Sequence, residues 1–249
     1  TLKTNIIGTS NLLEIIKKTS KTKVVVIITS DKVYLNLNDE KYFEEKSMLG
    51  GKDIYSASKA ACELIVNAYH HSFLNSLNIK ISTARAGNVI GGGDWAKNRL
   101  IPDIMKSLKL QKTLNIRNPS FIRPWQHVLD PIIGYLILAQ KMWFNNINTA
   151  FNFGPKSKNK YSVKDIALIA KKKFPELNLN FIENYIGPNE AKTLKLNTSK
   201  AKKMLSFNPH LSFEQSINRT FNWYHKFYKG NNAHDLCVDD INYYFNTLK

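Results

Sequence analysis

The sequence predicts an α/β fold in which helices cover both faces of a parallel sheet. The run VVVII at 24–28 is β-branched and unbroken, whereas a half-exposed strand would alternate apolar and polar residues. A second apolar run follows at 79–90. A helical pattern precedes each run, and the order helix, strand, helix, strand is typical of right-handed crossovers between parallel strands.

The predicted elements become shorter and less regular along the chain. The first helix, 5–18, is amphipathic and ends in lysines, which suit the negative end of the helix dipole. The second helix, 56–76, carries its apolar residues on one stripe. Further helices are predicted at 100–110, 128–144, 162–174 with Ser162 as N-cap, 198–205 and 212–228, and strands at 113–116, 150–154 and 178–182. This looser rhythm predicts a smaller lobe assembled from separate pieces.

Composition bounds the function. The 249 residues carry a net charge of +17, which is compatible with nucleic acid or with an anionic small ligand. The lysines are scattered along helices and no aromatic-interleaved basic motif occurs, so we expect no nucleic-acid partner. No long apolar run or signal-peptide pattern is found, so we expect a cytoplasmic protein without a membrane partner. The two cysteines match no metal-ligand spacing, and no metal is expected.

Polar residues follow the first predicted strand directly, in the stretch TSDKVY at 29–34. One explanation is structural, because Ser-Asp pairs after strands often cap a turn. The other is chemical, because ligands of parallel α/β sheets bind at the carboxyl ends of the strands. Asp31 and Lys32 would then supply an acid and a base.

A tyrosine and a lysine lie four residues apart in YSASK, at the head of the second helix. Tyr55 and Lys59 therefore leave the same helix face. An ammonium group beside a phenol favours the phenolate, which could take the proton from a sugar hydroxyl. The alternative is an ordinary surface pair.

A run of three glycines, Gly91 to Gly93, follows the second predicted strand. It comes too late in the chain for the phosphate-binding turn of the cofactor domain, so we interpret it as a flexible turn.

Several motifs together resemble a known family. TSDKVY, YSASK, ARAGNVIGGGDWAKNRLIPDI, IRNPSFIRPWQHV and NFGP occur in the order found in the CDP-glucose 4,6-dehydratases, a branch of the extended short-chain dehydrogenase/reductases. The resemblance extends from TNIIGTSNLLE to LKLNTSKAKKMLSFNP. It implies a Rossmann-type sheet for 1–95 and a nucleotide-sugar-binding lobe for 96–249, with 128–154 returning to the first domain. It also implies a homodimer through the helices near 5–18 and 56–76.

The resemblance implies a lyase reaction on CDP-glucose with bound NAD. Tyr55, assisted by Lys59, would take the O4 proton, Lys32 the C5 proton, and Asp31 would protonate the leaving C6 hydroxyl. Lys32 would have to lose its own proton first, which a neighbouring cation such as Lys59 would favour. Ser30 would bond the sugar or Tyr55. The resemblance implies four contacts to the cofactor: Asn5, Thr29, Tyr55 and Lys59. It implies five contacts to the substrate: Ser30, Asn88, Arg99, Leu100 and Arg123.

Alternatives remain for the substrate contacts and for the whole chain. Arg123 would instead neutralise Asp130, Asn88 would be a turn residue, and His127 is predicted to be structural. The family's opening strand and Gly-rich turn have no counterpart here, so we expect the first strands of the sheet to be missing. Two hypotheses of different classes follow: an NAD-dependent lyase that dehydrates CDP-glucose when the chain is complete, or a non-catalytic fragment that binds nucleotide sugars. A related nucleotide-sugar dehydratase or epimerase that acts on another base is a further alternative to the first.

Overall fold

A computed structural model describes residues 1–19, 21–37, 41–155, 160–183, 185 and 191–248. The chain forms two compact units by its contacts. Unit 1 contains 1–87, 131–154 and the described residues of 188–208, and unit 2 contains 88–130, those of 155–187, and 209–248. The segment 188–208 thus belongs to the first unit, although the sequence assigned it to the second lobe.

Most of the predicted elements are present with small shifts of their ends. The strands are β1 Val24–Ile28, β2 Lys80–Ala86, β3 Val89–Ile90, β4 Leu114–Arg117, β5 Ile122–Arg123, β6 Gln126–His127, β7 Phe151–Phe153, β8 Tyr161–Ser162 and β9 Leu179–Ile182. The helices are α1 Gly8–Lys18, α2 Ile54–Tyr69, α3 Leu100–Leu110, α4 Leu129–Phe144, α5 Val163–Lys173, α6 Ser199–Leu205, α7 Phe213–Tyr228 and α8 Ala233–Thr247. Short π-helical turns, Lys3–Ile7 and His70–Leu74, precede α1 and follow α2.

The sheet of unit 1 confirms the predicted parallel α/β class. Its strands lie in the order β1, β2, β7, and both pairings are parallel. On one face β1 and β2 pack against α1 and α2, through residues such as Leu13, Val25 and Val66. On the other face the sheet packs against α4 and α6, through Leu138 and Phe151 among others. Because both faces are covered, β1 can be apolar throughout.

Unit 2 has its own core between α3, α5 and α7. It contains three small two-stranded pairings: β3 with β6 and β4 with β9 are parallel, and β5 with β8 is antiparallel. The predicted strand 79–90 is therefore wrong in part, because β2 and β3 are separate strands with different partners. The helix α8 was not predicted. Gly92 lies directly against the Trp223 ring, so the glycine turn is a packed turn and not a flexible one.

The described residues contain neither a candidate membrane-spanning helix nor a candidate metal site. None of the helices there is both long and apolar enough to cross a membrane. Within the same part of the chain, no cluster of histidine, cysteine and acidic side chains could hold a metal ion.

His127 should make the stability of unit 2 depend on pH. Its side chain is 1% exposed, and its Nε2 lies 3.9 Å from Asp240 Oδ2, whose carboxylate already accepts a 2.7 Å bond from Arg219 Nε. Burial, with the Arg219 charge as a second cause, lowers the pKa of His127 to about 4. Burial therefore keeps the imidazole neutral, although the Asp240 carboxylate lies nearby.

The folded chain keeps His127 neutral, while the unfolded chain binds a proton below the ordinary pKa of about 6.5. The free energy of unfolding should therefore fall by about 3 kcal/mol as the pH falls from about 6.5 to 4. Urea unfolding of the unsubstituted chain and of His127→Gln at pH 7 and pH 4 measures this effect, because the variant lacks the titrating imidazole. If the unfolding free energies of the two proteins differ by the same amount at both pH values, the prediction is wrong.

Candidate active site

The turn after β1 is closed by a serine cap. Ser30 Oγ accepts a 3.2 Å bond from the Lys32 backbone N–H and donates one of 3.1 Å to Asp31 Oδ1. A short 3-10 helix, Asp31–Val33, begins there. The capping explanation thus applies to Ser30, and Asp31 is left with its carboxyl group buried at 3% exposure.

The first turn of α2 is fixed by Asp53. Its carboxylate accepts bonds from the backbone N–H groups of Tyr55 and Ser56, at 2.9 and 3.0 Å, and from Ser56 Oγ at 2.7 Å. Burial raises the pKa of Asp53, but these bonds and the charge of Lys32 outweigh it and lower the pKa overall. Because this capping box orders the first turn, the backbone of Tyr55 is held in place.

The predicted reactive groups come together at the carboxyl end of β1. Lys59 Nζ donates a 3.1 Å bond to the backbone oxygen of Ile28, the last residue of the strand. Lys32 Nζ lies 6.0 Å from the centre of the Tyr55 ring. Tyr55 is 43% exposed, so a ligand can reach it. Ser30 and Asp31 begin the turn that carries Lys32, and the five side chains therefore share one end of the sheet.

Lys32 and Lys59 each have an identified contact at this end of the sheet. The charge of Lys32 acts on the Asp53 carboxylate and helps to lower the pKa of Asp53. Lys59 Nζ is directed to the backbone oxygen of Ile28. An effect of Lys59 on the proton of Lys32 stays a prediction.

Two predicted cofactor contacts use their side chains on the protein. Asn5 Nδ2 donates a 2.9 Å bond to Ser58 Oγ, which in turn donates to the Tyr55 backbone oxygen at 2.7 Å. Thr29 Oγ1 donates a 2.5 Å bond to Glu63 Oε1. Both residues therefore brace α2, and their contact with a cofactor stays a prediction.

Of the predicted substrate contacts, Ser30 lies in unit 1, and the other four lie in unit 2. Asn88 accepts a backbone bond of 3.0 Å from Gln126, so its backbone joins β3 to β6. Arg99, directly before Leu100 at the start of α3, pairs with Asp94 at 2.9 Å, and its side chain is 64% exposed. Arg123 is buried, with its guanidinium 5.2 Å from the Phe121 ring.

Asp130, the alternative partner considered for Arg123, is bonded elsewhere in unit 2. Its carboxylate accepts bonds from the backbone N–H groups of His210 and Leu211, at 2.6 and 3.3 Å, and from Tyr244 Oη at 2.8 Å. These donors attach the start of α4 to the segment before α7 and to α8. The carboxylate therefore has a structural role.

Two residues near the site were missed by the sequence analysis. Tyr135 of α4 lies close enough to Asp31 that burial, followed by the Asp31 charge, raises the pKa of its phenol. Glu63 of α2 binds Thr29 at the end of β1. No motif marks either residue in the sequence. Tyr135 lies within an apolar helical run, and Glu63 is a single acidic residue in an otherwise amphipathic helix.

Comparison with known proteins gives consistent results. Residues 1–220 match the family model described as GDP-mannose 4,6 dehydratase. A CDP-glucose 4,6-dehydratase of Salmonella typhimurium is 38% identical over 237 residues, covering 92% of this chain and 66% of that protein. A dTDP-glucose 4,6-dehydratase of Haemophilus influenzae is 28% identical, covering 90% of this chain and 69% of that protein. The chain thus spans about two thirds of the length of these relatives.

Solved structures share the fold. A dTDP-glucose 4,6-dehydratase from Bacillus anthracis in complex with NAD has a TM-score of 0.78 at 24% identity, covering 90% of this chain and 68% of that chain. A UDP-glucuronic acid 4-epimerase from Bacillus cereus, in complex with UDP-glucuronic acid and NAD, has a TM-score of 0.79 at 23% identity, with coverages of 91% and 68%. At these identities the likeness concerns the fold alone.

Proposed function

Since the chain belongs to the GDP-mannose 4,6 dehydratase family, we propose that it carries the catalytic residues of an NAD-dependent CDP-glucose 4,6-dehydratase. The observation that supports this most strongly is the convergence of Asp31, Lys32, Tyr55 and Lys59 at the end of β1. The 38% identity to a CDP-glucose 4,6-dehydratase supports cytidine as the base. Unit 1 would be the cofactor domain and unit 2 would bind the nucleotide sugar.

The residues present fit NAD in part. Tyr55 is 43% exposed and Lys59 lies beside it on the same helix face, so a ribose bound there would contact both residues. The side chains of Thr29 and Asn5 are bonded to Glu63 and Ser58, and their backbone N–H groups donate to Ala84 and Thr1, so both residues would contribute mainly by shaping the site. Bound NAD would supply the hydride chemistry, with C4 of the sugar as the hydride donor and C6 as the final acceptor.

The chain's own residues would move the protons. The Lys59 charge would favour the phenolate form of Tyr55, which would take the proton from the sugar O4 and become a phenol. The ketone formed at C4 acidifies the C5 hydrogen, which Lys32 would remove as a proton. Asp31 would give a proton to the departing C6 hydroxyl, so that water leaves and a C5–C6 double bond forms. Asp31 is 3% exposed, so bulk water would have little access to this proton transfer.

Binding of the nucleotide would depend on cations of unit 2. Arg123 is the residue we assign to the diphosphate, because a guanidinium group can bind two phosphate oxygens at once. Its buried position would hold that group in one orientation. Arg99 and Leu100, at the start of α3, would lie beside the nucleoside, and Asn88 would contact the sugar. A backbone bond already fixes Asn88.

The first test uses the 249-residue chain with NAD and either CDP-glucose or dTDP-glucose. The ultraviolet absorbance of the 4-keto sugar in base measures the product, and calorimetry measures NAD binding. We expect NAD binding and product from CDP-glucose. Product from dTDP-glucose alone would overturn the cytidine assignment. A chain that binds CDP-glucose but neither binds NAD nor forms product would instead support the non-catalytic alternative.

The second test replaces Lys32 with methionine. We expect CDP-glucose binding to persist and product formation to fall by about 10²- to 10⁴-fold, the usual contribution of a general base. Lys46→Met is the matched control, because the Lys46 side chain is 87% exposed and pairs at 3.3 Å with Glu44, which is not one of the candidate site residues. Loss of binding in Lys32→Met, or equal losses of activity in both variants, would show that Lys32 is not the base.

We also propose a homodimer through α1 and α2. Both helices keep large apolar side chains exposed, including Ile15 at 61% and Leu64 at 61%. Large apolar side chains left exposed on two neighbouring helices would be covered by such an interface.

The dimer is tested by replacing Leu64 with aspartate, because a charge at the centre of an apolar interface should prevent association. Sedimentation should then give the 28.5 kDa monomer in place of a particle of twice that mass. Leu136→Asp on α4 is the control, since Leu136 is also 61% exposed and lies outside the proposed interface. A monomeric starting chain, or dissociation by both variants, would contradict the proposal.

A further inference from the structure

A buried carboxylate lies beneath the candidate active site. Glu63 belongs to α2, one turn after Lys59 and two turns after Tyr55, so the three side chains share one face of the helix. Its side chain is 4% exposed. It accepts four bonds: from Thr29 Oγ1 at 2.5 Å, Thr83 Oγ1 at 2.6 Å, Arg85 Nε at 2.9 Å and Arg85 Nη2 at 2.8 Å.

These bonds attach the helix to two neighbouring strands. Thr29 directly follows β1, whereas Thr83 and Arg85 belong to β2. One turn earlier on the helix, Lys59 Nζ bonds the backbone oxygen of Ile28. Successive turns of α2 are thus joined to successive residues, Ile28 and Thr29, at the end of β1. The helix cannot slide or rotate without breaking several of these bonds together.

The ion pair is poorly explained by stability alone. A buried ion pair is often no more stabilising than apolar residues of similar volume, because both charges must leave water. Burial opposes the charged form of Arg85, while the bonds and the charge of Glu63 outweigh it and raise the pKa of Arg85 overall. Arg85 therefore remains charged, and it donates directional bonds to Glu63 that apolar packing could not supply.

We infer that Glu63 is a positioning residue, which holds Tyr55 and Lys59 over the end of β1 through its bonds to Thr29, Thr83 and Arg85. The role of Tyr55 and Lys59 in the reaction rests on the proposed function. The position of α2 does not, because it follows from the contacts of Glu63 itself. A small displacement of the helix would move both groups together relative to the substrate, and misplacement by about 1 Å can cost 10²-fold in rate.

The test compares two hydroxyl groups that each donate to a buried carboxylate. Thr83→Val removes the 2.6 Å bond to Glu63, and Tyr244→Phe removes the 2.8 Å bond to Asp130 in unit 2. Both donors are less than 5% exposed, so both variants should lose stability. Only Thr83→Val should lower kcat for CDP-glucose, by about tenfold, with KM changed by less than about threefold. Glu63→Gln should lower kcat by about 100-fold if it folds.

A second measurement does not need turnover. Hydrogen exchange of the backbone amides at 54–60 should become faster in Thr83→Val relative to the rest of unit 1, while Tyr244→Phe should leave this difference unchanged. If the unsubstituted chain forms no product, the proposed function fails and exchange alone decides the positioning role. Unchanged exchange at 54–60 in Thr83→Val, or an equal loss of kcat in Tyr244→Phe, would overturn the inference.

Discussion

The buried carboxylate of Glu63 is the interaction on which the arrangement of unit 1 depends. A charge removed from water is very costly unless it is paired and hydrogen-bonded, and this one has four bonds from three residues. Those residues belong to the end of β1 and to β2, whereas Glu63 belongs to α2. Apolar contacts tolerate a shift of a helix along a sheet, but directional bonds do not. Asp53 orders the first turn of α2, and Glu63 sets the position of the helix against the strands.

A second polar layer extends from the same ion pair to the loop before α2. Arg85 Nη1 also donates to Tyr34 Oη at 2.9 Å and to the Glu45 backbone oxygen at 3.0 Å. Tyr34 in turn donates a 2.6 Å bond to Asn152 of β7, whose own amide donates to the Phe43 backbone oxygen at 3.0 Å. Burial raises the pKa of Tyr34 to about 12, so its hydroxyl stays protonated near neutral pH. The loop residues are therefore held by the strand ends, close to the turn that carries the reactive groups.

The sequence predicted those elements that are defined by contiguous residues. β1 at Val24–Ile28 and α3 at Leu100–Leu110 coincide with their predictions, and Ser162 is the N-cap of α5, because apolar runs and caps are local signals. The run 79–90 is predicted as one strand but forms two, β2 and β3. Hydrophobicity does not reveal that the chain leaves unit 1 after Gly87. The TSDK and YSASK stretches could be recognised by their place after a strand and at a helix start. The bond between Glu63 and Arg85 could not, because it joins residues 22 positions apart whose contact exists only in the folded chain.

The side chains that position the site differ in exposure from those that can react. Thr29 and Ser58 are 7% and 0% exposed and donate their hydroxyl hydrogen bonds to other protein groups, whereas Tyr55 is 43% exposed. A positioning side chain benefits from burial, because water then does not compete for its hydrogen bonds. A reacting group must be accessible to its substrate. Asp31 and Lys32 are neighbours in sequence, yet the first is buried and the second is half-buried, because the short helix after Ser30 turns them to different surroundings. Different access to water is the physical condition under which an acid and a base can keep distinct roles within one site.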